Sequence, residues 1–187
     1  VANAVPTLTA FSSAIDTIDE DTEVELTLAE LLDKGDEADS DGTVDAFVVT
    51  AVSTGTLKIG TDAASATAFN AATNSTIDAT NNAYWTPAAN ANGMLDAFTV
   101  KARDNEGAES ATAIQVQVSV TPINDAPKFG NTAAATAYTE GGSANRISSV
   151  ARIFDKDSSV LTLMTVRVAD FRAGDMLAAT PAGAILV

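Results

Sequence analysis

Apolar and polar side chains alternate with a period of two in several segments of the chain, and this pattern predicts β-strands. The alternating segments are separated by short runs rich in Gly, Asn and Asp, which are typical of turns. Only the segment AELLDK (29–34) favours a helical turn. Strands are predicted at 22–31, 45–52, 55–60, 96–104 and 113–120, and turns at 40–43, 73–82, 90–93 and 104–107. Short strands with no βαβ rhythm predict an all-β sandwich.

Composition excludes several kinds of chemistry. The 187 residues contain no His and no Cys, which excludes a Ser-His-Asp triad, a Cys nucleophile and a zinc site of the usual nitrogen and sulfur type. Acidic residues outnumber basic ones by 25 to 10, and this charge disfavours nucleic-acid binding. No apolar run approaches the ~18–20 residues that a membrane span requires, so we expect no membrane insertion. A metal site made of oxygen ligands remains open, as does a role as a spacer or adhesive module.

Two short motifs occur twice in the chain. A linker of the form Asn-x-x-Pro begins at position 3 and again at position 124, which is 121 residues later. Each linker is followed by a Glu and then by an Asp-x-Asp pair. The corresponding residues are Glu20, Asp39 and Asp41 in the first copy and Glu140, Asp155 and Asp157 in the second. We therefore expect one complete module over residues 1–123, a stiff linker over 122–128, and a partial, truncated second module over 128–187.

Acidic residues at matching places in both copies have two interpretations. Composition alone favours a solvated acidic loop over residues 33–45. Carboxylates crowded at one end of a sandwich would repel each other, however, and a hard cation with 6–8 oxygen ligands relieves that repulsion. Asn124 stands beside Asp125 and could add an amide oxygen. Calcium fits such adaptable loop oxygens better than magnesium does, and manganese or zinc would prefer nitrogen ligands that this chain lacks.

The aromatic pair Tyr84-Trp85 also has two interpretations. Trp85 could fill the core of the sandwich, which is the usual place of a single Trp, or the pair could stack on sugar rings. Two carboxylates could likewise form the acid/base pair of a glycosidase. Because nothing else around them resembles a substrate cleft, we expect that the chain is not an enzyme.

Three segments resemble the cadherin-like repeats of large bacterial surface adhesins, calcium-dependent modules chained in proteins with a repeats-in-toxin C-terminus. They are FTVKARDNEGAESATAIQVQVSVTPINDAPKF (98–129), IDEDTEVELTL (18–28) and AYTEGGSANRISSVARIFDKDSS (137–159). The resemblance covers nearly the whole chain and implies an immunoglobulin-like, cadherin-like β-sandwich. Four features depart from the family pattern. Ala4 stands where the second linker has Asp125, and residues 90–96 lack a clear counterpart of the acidic D-R-E element. The turn at 104–107 has an extra residue, and the predicted second module stops before its own turn Asp.

The resemblance also implies a set of calcium ligands, which lie where successive modules meet. The junction within this chain would use Glu20, Asn124, Asp125, Asp155 and Asp157. The opposite end of the first module would face a preceding module through Asp39, Asp41 and Asp104, and Glu140 would serve a junction beyond Val187.

The function implied is a non-catalytic, calcium-stiffened extender or adhesion module of a large bacterial surface adhesin. Such a module would be extracellular, at the bacterial cell surface or secreted. Its partners would be neighbouring modules of the same adhesin, with homophilic or carbohydrate contacts as further candidates. Two alternatives stay open: a self-associating or ligand-binding module for carbohydrate or peptide, and an accessory domain of an exported carbohydrate-active enzyme.

Overall fold

The computed structural model describes residues 2–130, 152–158 and 160. The chain divides into two compact units, Val1–Ile123 and Asn124–Val187. The described part of the chain is almost entirely β-structure and contains one short helix, as the all-β prediction requires. No helix in this part is long and apolar enough to cross a membrane.

The first unit contains nine strands and the helix within its described residues. In chain order these are β1 (Thr17–Asp19), β2 (Val24–Leu26), α1 (Leu28–Lys34), β3 (Val44–Val52), β4 (Thr56–Gly60), β5 (Thr67–Ala68), β6 (Thr76–Ile77), β7 (Asn82–Thr86), β8 (Gly93–Asp104) and β9 (Ile114–Thr121). They form a five-stranded sheet in the order β1-β9-β8-β3-β6 and a four-stranded sheet in the order β2-β7-β4-β5. β1 runs parallel to β9, and the other paired strands are antiparallel.

Both sheets contribute to one buried cluster of apolar side chains. The five-stranded sheet supplies Phe47, Phe98 and Val116, and the four-stranded sheet supplies Leu26 and Trp85, all of which are fully buried. Strand residues alternate between the two faces of a sheet. The period-two pattern therefore places the buried side chains of each sheet on one face of that sheet. The placement of Trp85 confirms the core interpretation of the aromatic pair.

The predicted alternation is not continuous along β8. In β8, a register shift between Asp96 and Phe98 leaves two consecutive residues, Ala97 and Phe98, buried. A bulge of this kind inserts one residue into a strand and changes which face the following side chains occupy. The prediction of strict alternation over 96–104 is therefore wrong at the start of that segment.

The predicted strand over 22–31 is also shorter than expected, because a helix begins inside it. Thr27 caps α1: its hydroxyl oxygen accepts a hydrogen bond from the Glu30 N–H at 3.3 Å, and the Glu30 carboxylate accepts one from the Thr27 N–H at 2.7 Å. This reciprocal capping box satisfies backbone donors that a helix start otherwise leaves open. The helix at 29–34 that the sequence favours is confirmed, and it buries Leu31 against the core.

The second unit is described by one short strand pair and a following turn. β10 (Lys128–Gly130) pairs antiparallel with β11 (Arg152–Phe154). The predicted truncation of the second module concerns residues that lie mostly outside the described ones.

Gly55 forms a tight turn that packs directly on the buried Trp85. Its φ is 68°, and a Cβ at this position would collide with the Thr86 carbonyl oxygen and lie 3.0 Å from Trp85 Nε1. The same Nε1 donates a hydrogen bond to the Thr54 carbonyl oxygen at 2.7 Å. Glycine is therefore required here both by the backbone conformation and by the lack of space.

We predict that Gly55→Ala lowers the free energy of unfolding by more than about 2 kcal/mol, because a left-handed backbone penalty of ~1–2 kcal/mol adds to the cost of overpacking. Gly93→Ala is the matched control: its φ is also positive, at 95°, but no heavy atom lies within 4 Å of the added Cβ. Urea denaturation of both variants measures the difference. If both variants lost the same free energy of unfolding, the crowding against Trp85 and the Thr86 carbonyl oxygen would have no energetic consequence.

Candidate metal centre

Three of the predicted ligands lie at the same end of the first unit as the linker residues Asn3 and Ala4. Asp39 and Asp41 occupy the loop that precedes β3, and Asp104 ends β8. Asn3 Nδ2 donates to Asp104 Oδ2 at 3.0 Å, and the Ala4 N–H donates to both Asp41 carboxylate oxygens at 3.1 and 3.2 Å. We name the group Asn3, Asp39, Asp41 and Asp104 the entrance cluster. The incoming linker is thus held by two carboxylates of the predicted set.

Asp104 is the most buried carboxylate of the entrance cluster, with 2% of its surface exposed. Burial raises the pKa of Asp104, but hydrogen bonds from Asn3 and from the backbone N–H groups of the following turn outweigh it, so that the pKa lies below its usual value. Two of those bonds, from Glu106 N–H and Ala108 N–H to Oδ1, measure 2.9 and 2.8 Å. Asp104 therefore carries a negative charge at neutral pH and is held rigidly.

Asp39 presents a buried oxygen that has no hydrogen-bond partner. Its Oδ1 accepts a weak bond of 3.4 Å from the Asp41 N–H, while Oδ2 is buried and accepts none. Asp39 Oδ2 lies 2.7 Å from where a Cβ on Gly42 would be, and Asn105 Oδ1 also borders that position. Gly42 thus lets both oxygens approach its backbone more closely than a Cβ would allow. Because a buried carboxylate oxygen without a donor is costly, Asp39 Oδ2 favours a positively charged neighbour.

The ligand types in the entrance cluster fit calcium, since all of them are carboxylate or amide oxygens. Basic side chains do not neutralise them: the ion pairs of the described residues are Lys34–Asp33, Lys58–Glu23 and Lys101–Glu109. Within the described ranges, however, no three carboxylates lie close enough together to form a metal-binding group by themselves. A cation here would need main-chain or amide oxygens to complete its shell.

The second unit repeats part of the entrance cluster. The Asp125 N–H donates to the Asp157 carboxylate, as the Ala4 N–H does to Asp41 in the first unit. Asp155 Oδ1 accepts bonds from the N–H groups of Asp157 at 3.0 Å and Ser158 at 2.9 Å. Asn124 Nδ2 donates to the carbonyl oxygen of Asp125 at 3.1 Å.

The pairing that precedes each cluster is repeated as well. An isolated antiparallel bridge joins Thr7 to Ala38, and Lys128 pairs antiparallel with Phe154. Thr7 and Lys128 stand at the same offset of 121 residues as the two linkers, and Ala38 and Phe154 each directly precede the Asp-x-Asp pair. The sequence repeat therefore corresponds to a repeated local geometry.

Glu20 lies in the first unit, beyond the end of β1, and is 5% exposed. Its carboxylate accepts hydrogen bonds from the Ile123 N–H at 2.7 Å and from Asn92 Nδ2 at 3.3 Å. The structure describes Glu20 in one unit and Asn124, Asp125, Asp155 and Asp157 in the other, so their joint metal site stays a prediction. Glu140 lies outside the described residues.

Sequence reasoning did not anticipate the roles of Asn105, Glu37 and Asp36. Asn105 Oδ1 accepts a bond from the Thr43 N–H at 2.9 Å and thereby ties the DNEG turn to the loop before β3. Glu37 has a buried Oε2 without a partner, and burial is the main cause that raises its pKa. The position of Asn105 directly after Asp104 was the one available signal, since Asn often fixes turns through its side chain.

Comparison with known proteins assigns the chain to no family. No protein-family model matches the sequence, and neither a curated protein nor a solved structure matches it. Function is therefore inferred from the contacts of the entrance cluster, from their partial repetition in the second unit, and from the chemistry of the ligands.

The Asp36 carboxylate, just after the end of α1, accepts hydrogen bonds from the chain segment at residues 9 and 10. The donors are the Thr9 hydroxyl, the Thr9 N–H at 2.8 Å and the Ala10 N–H at 3.0 Å. The hydrogen bond from the Thr9 hydroxyl is the largest of the causes that lower the pKa of Asp36 to about 2. These bonds favour the ionised carboxylate, so protonation weakens them.

We predict that Asp36→Asn lowers the melting temperature at pH 7, and that the difference from wild type shrinks as the pH falls from about 4 to about 2. A depressed folded-state pKa stabilises the protein above the unfolded value of ~3.9, and this contribution is lost as the pH falls through the folded value. Asp45→Asn, at an exposed position, removes the same charge and is the control. Thermal melts at pH 7 and pH 3 test the prediction, which a constant difference at both pH values would contradict.

Proposed function

We propose that the chain is a non-catalytic, calcium-stiffened extender or adhesion module of a large bacterial surface adhesin, built as an immunoglobulin-like, cadherin-like β-sandwich. Two sheets that share one core support the sandwich part of this proposal. So does the position of β1 and β2, which follow each other in sequence but belong to different sheets. On this proposal the protein is extracellular, at the cell surface or secreted, and its partners are neighbouring modules.

The observation that carries the calcium part of the proposal is the unpartnered Asp39 Oδ2 beside Gly42 in the entrance cluster. Asp39 and Asp104 would hold the ion, together with amide or main-chain oxygens of the surrounding loops. A bound calcium ion would supply the positive charge that no basic side chain among the described residues supplies there. Backbone N–H groups orient the Asp104 carboxylate, and the Asp41 N–H makes a weak hydrogen bond to Asp39. Both carboxylates are therefore oriented before an ion would bind.

A stiffening role is supported by where the carboxylates lie. Asp41 and Asp157 each accept the N–H of a linker residue, so that the Asp-x-Asp pairs stand directly against the incoming chain in both units. An ion held by these pairs would restrict the backbone of the linker itself. A cation in the middle of the module would have no such effect on the angle between modules.

Stacking of sugar rings on Tyr84 and Trp85 has little support. The two side chains are 4% and 0% exposed, and the Tyr84 hydroxyl donates to Glu25 Oε1 at 2.9 Å. Neither ring offers a face to a ligand. A carbohydrate-binding role for the chain would need another surface.

We predict that about 10 mM calcium raises the melting temperature of the metal-free chain by roughly 5–15 °C. This range follows from Kd values of ~10⁻⁴–10⁻³ M for extracellular calcium modules and from the stabilisation of ~2.7 kcal/mol at a hundredfold excess of ligand. Magnesium at the same concentration should have a much smaller effect, because it demands rigid octahedral geometry. Calorimetric melts in chelator, calcium and magnesium measure this, and identical melting temperatures in chelator and calcium would refute the proposal.

We further predict that Asp39→Asn removes most of the calcium response of the first unit, because it neutralises the oxygen that lacks a donor. Asp125→Asn should reduce the response of the linker between the units without changing the melt in chelator. Asp45→Asn again controls for net charge. Calcium titrations by calorimetry give the affinity of each variant, and unchanged affinities in both site variants would place any calcium elsewhere.

A further inference from the structure

Glu20 makes contacts that need no metal ion. Its Oε1 accepts the Ile123 N–H at 2.7 Å, its Oε2 accepts Asn92 Nδ2 at 3.3 Å, and its own N–H donates to the Thr121 carbonyl oxygen at 2.9 Å. With 5% of its surface exposed, Glu20 is largely shielded from competing water. Hydrogen bonds to an ionised acceptor are among the stronger ones in proteins.

The contacts extend strand pairing beyond the point where the backbone can continue it. β1 pairs with β9 up to Asp19 and Thr121. The next residue, Pro122, has no N–H to donate, so the backbone ladder cannot continue through it. The Glu20 side chain reaches past Pro122 and accepts the next N–H along the chain, that of Ile123.

Apolar packing does not hold Ile123 in place, since 48% of its surface is exposed. Asn92 donates to the other oxygen of the Glu20 carboxylate. Asn92 directly precedes β8, and the first residue of β8, Gly93, pairs with Val120 of β9. The Glu20 carboxylate is therefore fixed by Asn92 while it holds the outgoing chain. The linker on the other side of the first unit is held in the same way, by Asp41 and the Ala4 N–H.

We propose that Glu20 is a metal-independent clamp, a positioning residue that fixes the outgoing chain up to Ile123. The first unit then presents an ordered exit in chelator as well as in calcium. The inference rests on contacts inside the first unit and does not depend on the proposed function. It also leaves room for a cation, because an ionised carboxylate offers about four lone-pair sites and only two are used.

Three variants of the full chain, each studied first in chelator and again in calcium, test the clamp. Glu20→Ala removes both acceptors, and we expect amide hydrogen exchange at Ile123 to accelerate by about tenfold or more and the melting temperature to fall by several degrees. Glu20→Gln keeps one oxygen that can accept the Ile123 N–H, loses only the acceptor for Asn92 Nδ2, and should retain the protection of Ile123. Asp19→Ala removes the neighbouring charge at an exposed position and should change neither quantity.

Exchange at Ile123 that stays at the wild-type rate in Glu20→Ala would overturn the clamp. Loss of that protection in Glu20→Gln would overturn it too, and this variant decides the question if Glu20→Ala fails to fold. An effect of Glu20→Ala seen only with calcium present would mean that the residue is a metal ligand alone. The calcium proposal fails on a different result, an unchanged wild-type melting temperature on adding calcium, so the two failures are distinguishable.

Discussion

The excess of carboxylates over basic side chains is the constraint on which the loops of this protein depend. With 25 acidic and 10 basic residues, most carboxylates cannot find a cationic partner within the chain. Backbone N–H groups take that place at Asp36, Asp41, Asp104 and Glu20. Each such bond satisfies a loop donor that no strand ladder reaches. The carboxylates that give the chain its negative charge thus also organise its irregular segments.

The two sheets make this arrangement possible by fixing where the loops begin and end. Fully buried side chains from both sheets, Phe47, Phe98 and Trp85 among them, form a continuous core. Since the strands are held by that core, Asp104 at the end of β8 and Asp39 before β3 come to lie near each other without a direct bond between them. Core packing therefore positions the carboxylates, and hydrogen bonds orient them.

Much of the strand pattern could be predicted, because burial on one face imposes a period of two. The segments predicted at 45–52, 55–60 and 113–120 correspond closely to β3, β4 and β9. The two-residue strand β6 was missed because it lies in a segment rich in Asn and Thr, although its Ile77 is fully buried. Strands this short are decided by tertiary pairing, here with β3, and leave no periodic signal.

The candidate site was predictable only in part for a similar reason. The resemblance to cadherin-like repeats implies Asp39, Asp41 and Asp104 as ligands, and these three lie at the same end of the first unit. Spacing does not indicate that Asn105 borders Gly42, nor that Glu20 bonds to Ile123, which is 103 residues away. Contacts of that range depend on the folded arrangement of β1, β8 and β9, which no local pattern encodes.

Asp39 differs from Glu20 and Asp41 in how its two carboxylate oxygens are used. Both oxygens of Glu20 and of Asp41 accept hydrogen bonds, whereas Asp39 keeps one buried oxygen without a donor. An unsatisfied buried polar group costs about 1–3 kcal/mol, and more when it is charged. On the proposed function, calcium offsets that cost at Asp39, while Glu20 and Asp41 order the linker backbone through hydrogen bonds. Pre-ordering of this kind reduces the entropy that metal binding would otherwise have to overcome.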